Sequence, residues 1–421
     1  MDVSAIDPFG TAPVSDAAVK PVFARPDKHI WGIYLLLCLI SVVELYSASS
    51  REVASSAIGV YGPIVRHGGM LVAGLCIILA LQRVHYRNFL LYIPIFAFVS
   101  VCMMVYVMFF GDIVNGARRS FSILGVTIQP SEFLKLSAAG IIALIMARTQ
   151  IKGGVKNAGV IWAASIVALF GALLIKQGLT NTLLLMSISM SMMVIGGVPW
   201  KKLFIVVLFY IAVLGVFKAV MPSGDVDRSG TWQQRIERYI GTGKPKYEES
   251  INAENRQEQY GFMAQANGGV VGVFPGNSRE TSRLPLAFSD YIYSIIVEDT
   301  GLVGGLVVLV LYLWLLGRAF AIASRCTRAF PALLVIGMAV MIVVQALFHI
   351  AIVTGVFPVS GQPLPLISKG GTSILITSLA FGVMLSVSRY AVRSAKKGES
   401  KAELNNAPEG DRAANPAQLL Q

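Results

Sequence analysis

The chain has 421 residues, of which 55% are hydrophobic and only 14% are Asp, Glu, Lys or Arg, and its mean hydropathy is +0.67. Soluble domains carry roughly a quarter charged residues, so this composition all but excludes a soluble globular protein, and it also excludes a disordered or fibrous chain. The net charge of +12 fits either a nucleic-acid binder or a membrane protein with Lys and Arg gathered on one side, and the placement of the charges decides between them.

Residues 1–28 lack the basic, apolar and small-residue order of a cleavable signal peptide and read as a disordered cytoplasmic tail. A bilayer core about 30 Å thick needs about 20 apolar residues at helical rise, and ten such stretches follow. They run over 30–47, 64–81, 89–110, 133–147, 159–175, 182–198, 203–220, 302–320, 331–357 and 374–390. The polar segment 397–421 reads as a second cytoplasmic tail. The expected fold is therefore all-α, a polytopic membrane protein with about ten transmembrane helices. Its membrane domain covers 29–396, with a large extracytoplasmic loop, 222–290, between helices 7 and 8.

With both termini in the cytoplasm every inner segment is basic. The inner charges run from Lys20, Arg25 and Lys28 through Arg83, Arg148, Lys201 and Arg318 to the cluster 389–401, whereas the outer loops hold few cations. This satisfies the positive-inside rule and disfavours nucleic acid, because the excess is spread over many loops. Cys38, Cys76, Cys102 and Cys326 have no metal spacing, so neither zinc nor disulfides are expected. No Gly-rich loop ending in Lys and Ser or Thr is present, so substrate or gradient energy must drive any work.

Polar residues interrupt the pattern at the outer ends of the spans. The first group is Asn115, Gly116, Ala117, Arg118 and Arg119, then Gln129, Pro130, Ser131, Glu132 and Lys135. Paired outer arginines call for an anion, and the guanidinium fork suits phosphate oxygens. Pro130 fits a helix start, and Glu132 with Lys135 forms either a plain i,i+3 ion pair or part of a site. The segment Ile175 to Asn181 is a weaker polar break between two spans.

The loop 222–290 is far longer than an ordinary connection. In its second half Gly268, Gly269, Gly272 and Gly276, then Leu284 to Ala287, alternate tight-backbone and apolar positions, as in a re-entrant segment or a packed cap. Asp290, flanked by Phe288 and Tyr291, is either a helix cap or a partly desolvated base, and Glu298 and Asp299 follow before Gly301. The last group, Gly361 to Ser373, has two prolines and paired glycines. Its amides, with Ser368 and Lys369, form either an anion nest or a simple turn. Glu44 and His349 lie within apolar spans, where packing partners are the plainer reading.

In this order the groups resemble the SEDS family, the shape, elongation, division and sporulation proteins typified by FtsW and RodA. Asn115 to Arg119 with Gln129 to Lys135 match one family motif. Gly268, Gly269, Gly272, Gly276, Ser278, Leu284, Pro285, Asp290, Glu298, Asp299 and Gly301 match a second. Gly361, Leu364, Pro365, Ser368, Gly370, Gly371 and Ser373 match a third. The chain departs from the pattern at Ser120, Phe288, Lys369 and Gln177 to Asn181; Asn115 to Arg119 and the charged tail lean towards the FtsW branch.

The resemblance implies a peptidoglycan glycosyltransferase that polymerises lipid II at the outer face of the bacterial inner membrane. It implies work beside a class B penicillin-binding transpeptidase and other divisome or elongasome membrane proteins. Asp290 is then the catalytic carboxylate, and Arg119, Glu132, Lys135, Ser278, Ser368 and Lys369 are the candidate substrate-binding residues. Cationic side chains or a divalent cation, Mg or Mn, would stabilise the departing pyrophosphate. A flippase for lipid-linked precursors and a divisome scaffold are the rival readings. A flippase needs polar groups along a path through the bilayer, whereas here they collect at the outer ends.

Overall fold

The computed structural model describes residues 25–48, 61–114, 117–123, 126–151, 154–175, 177–220, 250–252, 255–284 and 287–397, with residues 239 and 415. Helices fall on all ten apolar stretches. They are α1 (Lys28–Ala48), α2 (Tyr61–Leu81), α3 (Phe89–Phe110), α4 (Pro130–Arg148), α5 (Asn157–Ile175), α6 (Leu179–Ile195) and α7 (Trp200–Val220). After the long loop come α8 (Arg256–Gly268), the single turn α9 (Ala287–Asp290), α10 (Ile292–Ala323), α11 (Ala329–Val353) and α12 (Gly371–Lys397).

Among the described residues seven helices are long and apolar enough to cross a membrane, namely α3, whose apolar run starts at Tyr86, and α1, α4, α5, α10, α11 and α12; shorter apolar stretches lie in α2 and α6. The chain is a multi-pass membrane protein. Its exposed Leu, Val, Ile and Phe side chains line the outer faces of these helices, as expected where the solvent is lipid.

At the centre, α4 and α11 are largely enclosed helices, and they pack on each other. With little hydrophobic drive between helices in lipid, close approach depends on small residues. Gly140 of α4 faces Ile93 of α3, where a Cβ would stand 3.0 Å from Cγ2; Gly337 of α11 faces the Met192 Cε of α6 at 2.8 Å. At the other face α2 lies along α12, and α8 of the long loop lies on α10.

Three details differ from the sequence expectation. A three-stranded antiparallel meander, β1 (Asp112–Val114), β2 (Ala117–Ile123) and β3 (Val126–Ile128), precedes α4, and a two-stranded ribbon, β4 (Gln150–Ile151) and β5 (Gly154–Val155), follows it. Second, α10 starts ten residues before the expected span at Leu302. Third, Asn415 of the expected C-terminal tail is buried: its amide side chain donates to Ala323 O (2.8 Å) and Cys326 O (2.7 Å) after α10. Residues 1–24 and the rest of 398–421 lie outside the described residues, whereas 25–28 of the expected N-terminal tail are described and Lys28 opens α1.

The early start of α10 has a backbone cause. Gly301 (φ 71°, ψ −174°) breaks the helix, so the carbonyls of Glu298 and Asp299 lose their usual partners at 302 and 303. A turn after α8 replaces them: Val273 N donates to Glu298 O (3.0 Å) and Phe274 N to Asp299 O (2.8 Å). In return Leu302 N donates to Gly269 O (3.0 Å) and Val303 N to Val270 O (3.3 Å). All four interrupted groups are satisfied by one turn. No side chain fits between the two backbones: a Cβ on Gly268 would meet Val297 O at 1.9 Å, and one on Gly272 would meet Asp299 O at 2.3 Å.

Candidate active site

The third sequence group, 361–373, fastens to the segment around Asp290. Lys369 N donates to Phe288 O (3.0 Å), Ser368 Oγ donates to Ser289 O (2.7 Å), and Leu364 N donates to Ser368 Oγ (2.7 Å). The prolines and glycines hold this run out of a helix, so its polar backbone is free for these links. Asp290 is half-buried and accepts from Ser289 Oγ (2.9 Å). It is not the cap of α10, since Tyr291 holds that position and makes no side-chain cap bond. The α-carbon of Gly361 faces the carboxylate, and a Cβ there would stand 2.7 Å from Asp290 Oδ2.

Gly361 also lines a cavity of about 150 Å³ with Arg119, Gln129, Gln177 to Asn181, Leu183 and Pro358 to Gln362. Drug-sized ligands need roughly 300 Å³ or more, so this space has room for a small group such as a phosphate. Arg119, on β2, donates through Nε to Gln177 O (3.0 Å), which leaves the rest of the fork available. Gln362 Nε2 donates to Asn181 Oδ1 (3.1 Å), so the weak polar break 177–181 forms one wall of the cavity and the third group forms the other. Arg118 is exposed and donates to Phe109 O.

Glu132 and Lys135 form the expected ion pair (2.7 Å), with the Lys135 side chain fully buried. Lys135 Nζ also donates to Gln345 Oε1 (2.9 Å) on α11, and Gln345 Nε2 donates to Pro363 O (3.3 Å). The pair therefore braces the third group from below, and neither member lines the cavity. Pro130 stands at the first helical position of α4 as expected, and the side chain of Gln129 makes no cap bond. Ser278 donates to the buried Glu298 carboxylate, which also accepts from Arg279 N (3.0 Å), so it fastens the long loop to α10.

Gln345 is the residue missed from the sequence; His349, expected there as a packing partner, and Gln362, part of the third group, stand at the cavity wall. His349 Nδ1 donates to Gln362 O (2.6 Å), which fixes the tautomer and holds the cavity wall. A polar side chain one helical turn from another in an otherwise apolar span was the available signal: Gln345 and His349 are four apart on α11 and face the same segment. His67 Nε2 donates to Ser41 Oγ (2.7 Å), whose own proton goes to Ile367 O (3.0 Å), and the His67 ring packs edge-on to Phe288. Glu44 is buried near Asp299 and lines no part of the cavity. Among the described residues no three His, Cys, Asp or Glu side chains converge as metal ligands.

A model of the FtsW, RodA and SpoVE family, described as a cell cycle protein, matches residues 27–393. The probable peptidoglycan glycosyltransferase FtsW of Dichelobacter nodosus is 30% identical, over 88% of this chain and 92% of its own length. The peptidoglycan glycosyltransferase MrdB of Escherichia coli is 26% identical, over 86% of this chain and 93% of its own. Among solved structures, a chain from a peptidoglycan synthase complex that coordinates polymerization and crosslinking superposes with a TM-score of 0.65 at 24% identity, covering 88% of this chain and 99% of that one. The rod shape determining protein RodA of Thermus thermophilus gives 0.60 at 22% identity, covering 86% and 97%. At these identities the structural likeness shows a shared fold.

Proposed function

The chain belongs to the FtsW, RodA and SpoVE family of cell cycle proteins, and from that premise we propose that it is a peptidoglycan glycosyltransferase polymerising glycan strands from lipid II. The observation that carries this reading is Gly361, which touches the Asp290 carboxylate on one side and lines the Arg119 cavity on the other. A base and an anion holder are thus adjacent, as an inverting transfer from a pyrophosphate donor requires.

Asp290 takes the proton of the acceptor sugar's 4-hydroxyl as that oxygen bonds the donor's anomeric carbon. The bond from that carbon to the lipid pyrophosphate breaks, with inversion from α to β, and one base suffices without a covalent enzyme intermediate. Arg119 holds the leaving pyrophosphate by paired hydrogen bonds in the small cavity. Ser368 and Lys369 hold the segment that carries Gly361, and Glu132 and Lys135 brace it through Gln345.

Basic inner loops support cytoplasmic termini, which puts this site on the outer face of the bacterial inner membrane. A class B penicillin-binding transpeptidase is the partner, consistent with the similarity to a chain of a complex that joins polymerization to crosslinking. The FtsW-like motif at 115–119 supports a role in division over elongation. The test is purified protein with labelled lipid II, with and without the partner. Glycan polymer supports the reading, and lipid II transport in liposomes without polymer would favour a flippase.

A further inference from the structure

The turn that repairs the break in α10 carries an apolar tip that no other described residue covers. Val270, Val271 and Phe274 are 65%, 69% and 66% exposed, and residues 268–276 contain no charged side chain. The backbone bonds from Leu302 and Val303 set the tip beside those two residues, themselves 62% and 56% exposed. The apolar surface then continues down α10 through Leu306, Val307 and Val310. About 20 residues counted back from the end of α10 at Ala323 reach Gly304, so the tip sits at the outer edge of the hydrocarbon layer.

From this continuity we propose that residues 270–274 insert into the outer leaflet as a lipid anchor for the long loop. A bilayer accepts irregular backbone only where its polar groups are satisfied by protein. The amides of Val273 and Phe274 and the carbonyls of Gly269 and Val270 are paired with α10, and the Gly272 amide with Gly268 O, which keeps most of the turn's polar backbone bonded at the edge of the hydrocarbon layer. The positive φ of Gly269 and Gly272 and the 71° φ of Phe274 turn the side chains outward while the amides face α10. The same turn adjoins Glu298, which fastens Ser278 and Arg279, so the anchor sets the height of the outer loop above the membrane.

A spin label at Val271→Cys, in full-length protein with its four cysteines changed to Ala and placed in nanodiscs, reads this directly. Lipid insertion predicts relaxation by oxygen well above that by a water-soluble nickel chelate, with the reverse order at the exposed control Arg279→Cys. Nickel dominance at 271 would overturn the anchor, and low access to both reagents would show that protein covers the tip and would overturn it too. If the cysteine-free chain does not fold, Val271→Trp in the native background replaces it. Bromolipids should then quench an emission component beyond that of the five native tryptophans, and an unchanged quenched fraction would contradict the proposal.

Discussion

The carboxylate of Asp290 lies against the bare α-carbon of Gly361, with 2.7 Å between Oδ2 and the place a Cβ would take. Real Cβ contacts are longer, so Gly361→Ala must push the carboxylate aside or displace the cavity wall. A shift of about 1 Å in a reacting group can cost about 100-fold in rate, and we expect a loss approaching that in lipid II polymerisation. Expression and thermal stability should stay near wild type because position 361 is exposed. Wild-type rates in Gly361→Ala would separate Asp290 from this contact.

Arg119 is predicted to act on donor binding. Arg119→Lys keeps the charge and loses the fork, so the pyrophosphate would be held by one bond where two had formed. The apparent KM for lipid II should rise about tenfold or more, equivalent to about 1.5–3 kcal/mol for a charged hydrogen bond. An unchanged KM with a lowered kcat would instead assign Arg119 to the transition state alone.

Gln345 ties the buried Lys135 to Pro363. Gln345→Leu leaves a buried ammonium short of an acceptor and should cost about 1–3 kcal/mol of stability. Lys135→Met strands the Glu132 carboxylate and should cost more, about 3–5 kcal/mol. Adding Glu132→Gln to Lys135→Met should restore part of the loss. Thermal unfolding in detergent ranks the variants, and equal melting temperatures across the set would contradict the bracing role.

At the helix ends opposite the cavity Asp27 caps α1 through His29 N and Ile30 N and pairs with Arg318 of α10 (Nε 2.8 Å). Burial pushes its carboxyl up, but the Arg318 hydrogen bond and charge and the two amides outweigh this and hold it below the usual carboxylate range. A lowered pKa stabilises the fold at pH above the unfolded value near 4, and that contribution disappears as pH falls through the folded value. Asp27→Asn should therefore lower the melting temperature at pH 7, with the gap to wild type closing below about pH 4. A gap independent of pH would contradict the assignment.

Much of the fold was legible because about 20 apolar residues in a row have few alternatives in lipid. The start of α10 was not, since Glu298, Asp299 and Gly301 interrupt the apolar run, and the docked long loop is what satisfies the Glu298 carboxylate and the broken backbone. The β1–β2 meander had a local signal, Asn115-Gly116 between short apolar runs, that the composition of a helical membrane protein obscured. At the site, Arg119 and Asp290 stood out as charges at span ends, but their link through Gly361 depends on a residue with no side chain. The segment 177–181 carries only neutral polar groups, so its place in the cavity wall emerges from packing.

The most direct measurement is polymerisation of labelled lipid II by the purified Asp290→Asn protein with its transpeptidase partner, beside wild type. The amide keeps the shape and removes the base. Loss of glycan polymer with unchanged expression, melting temperature and partner binding is the predicted result, whereas wild-type polymer yield and rate would contradict the assignment of Asp290 as the catalytic carboxylate.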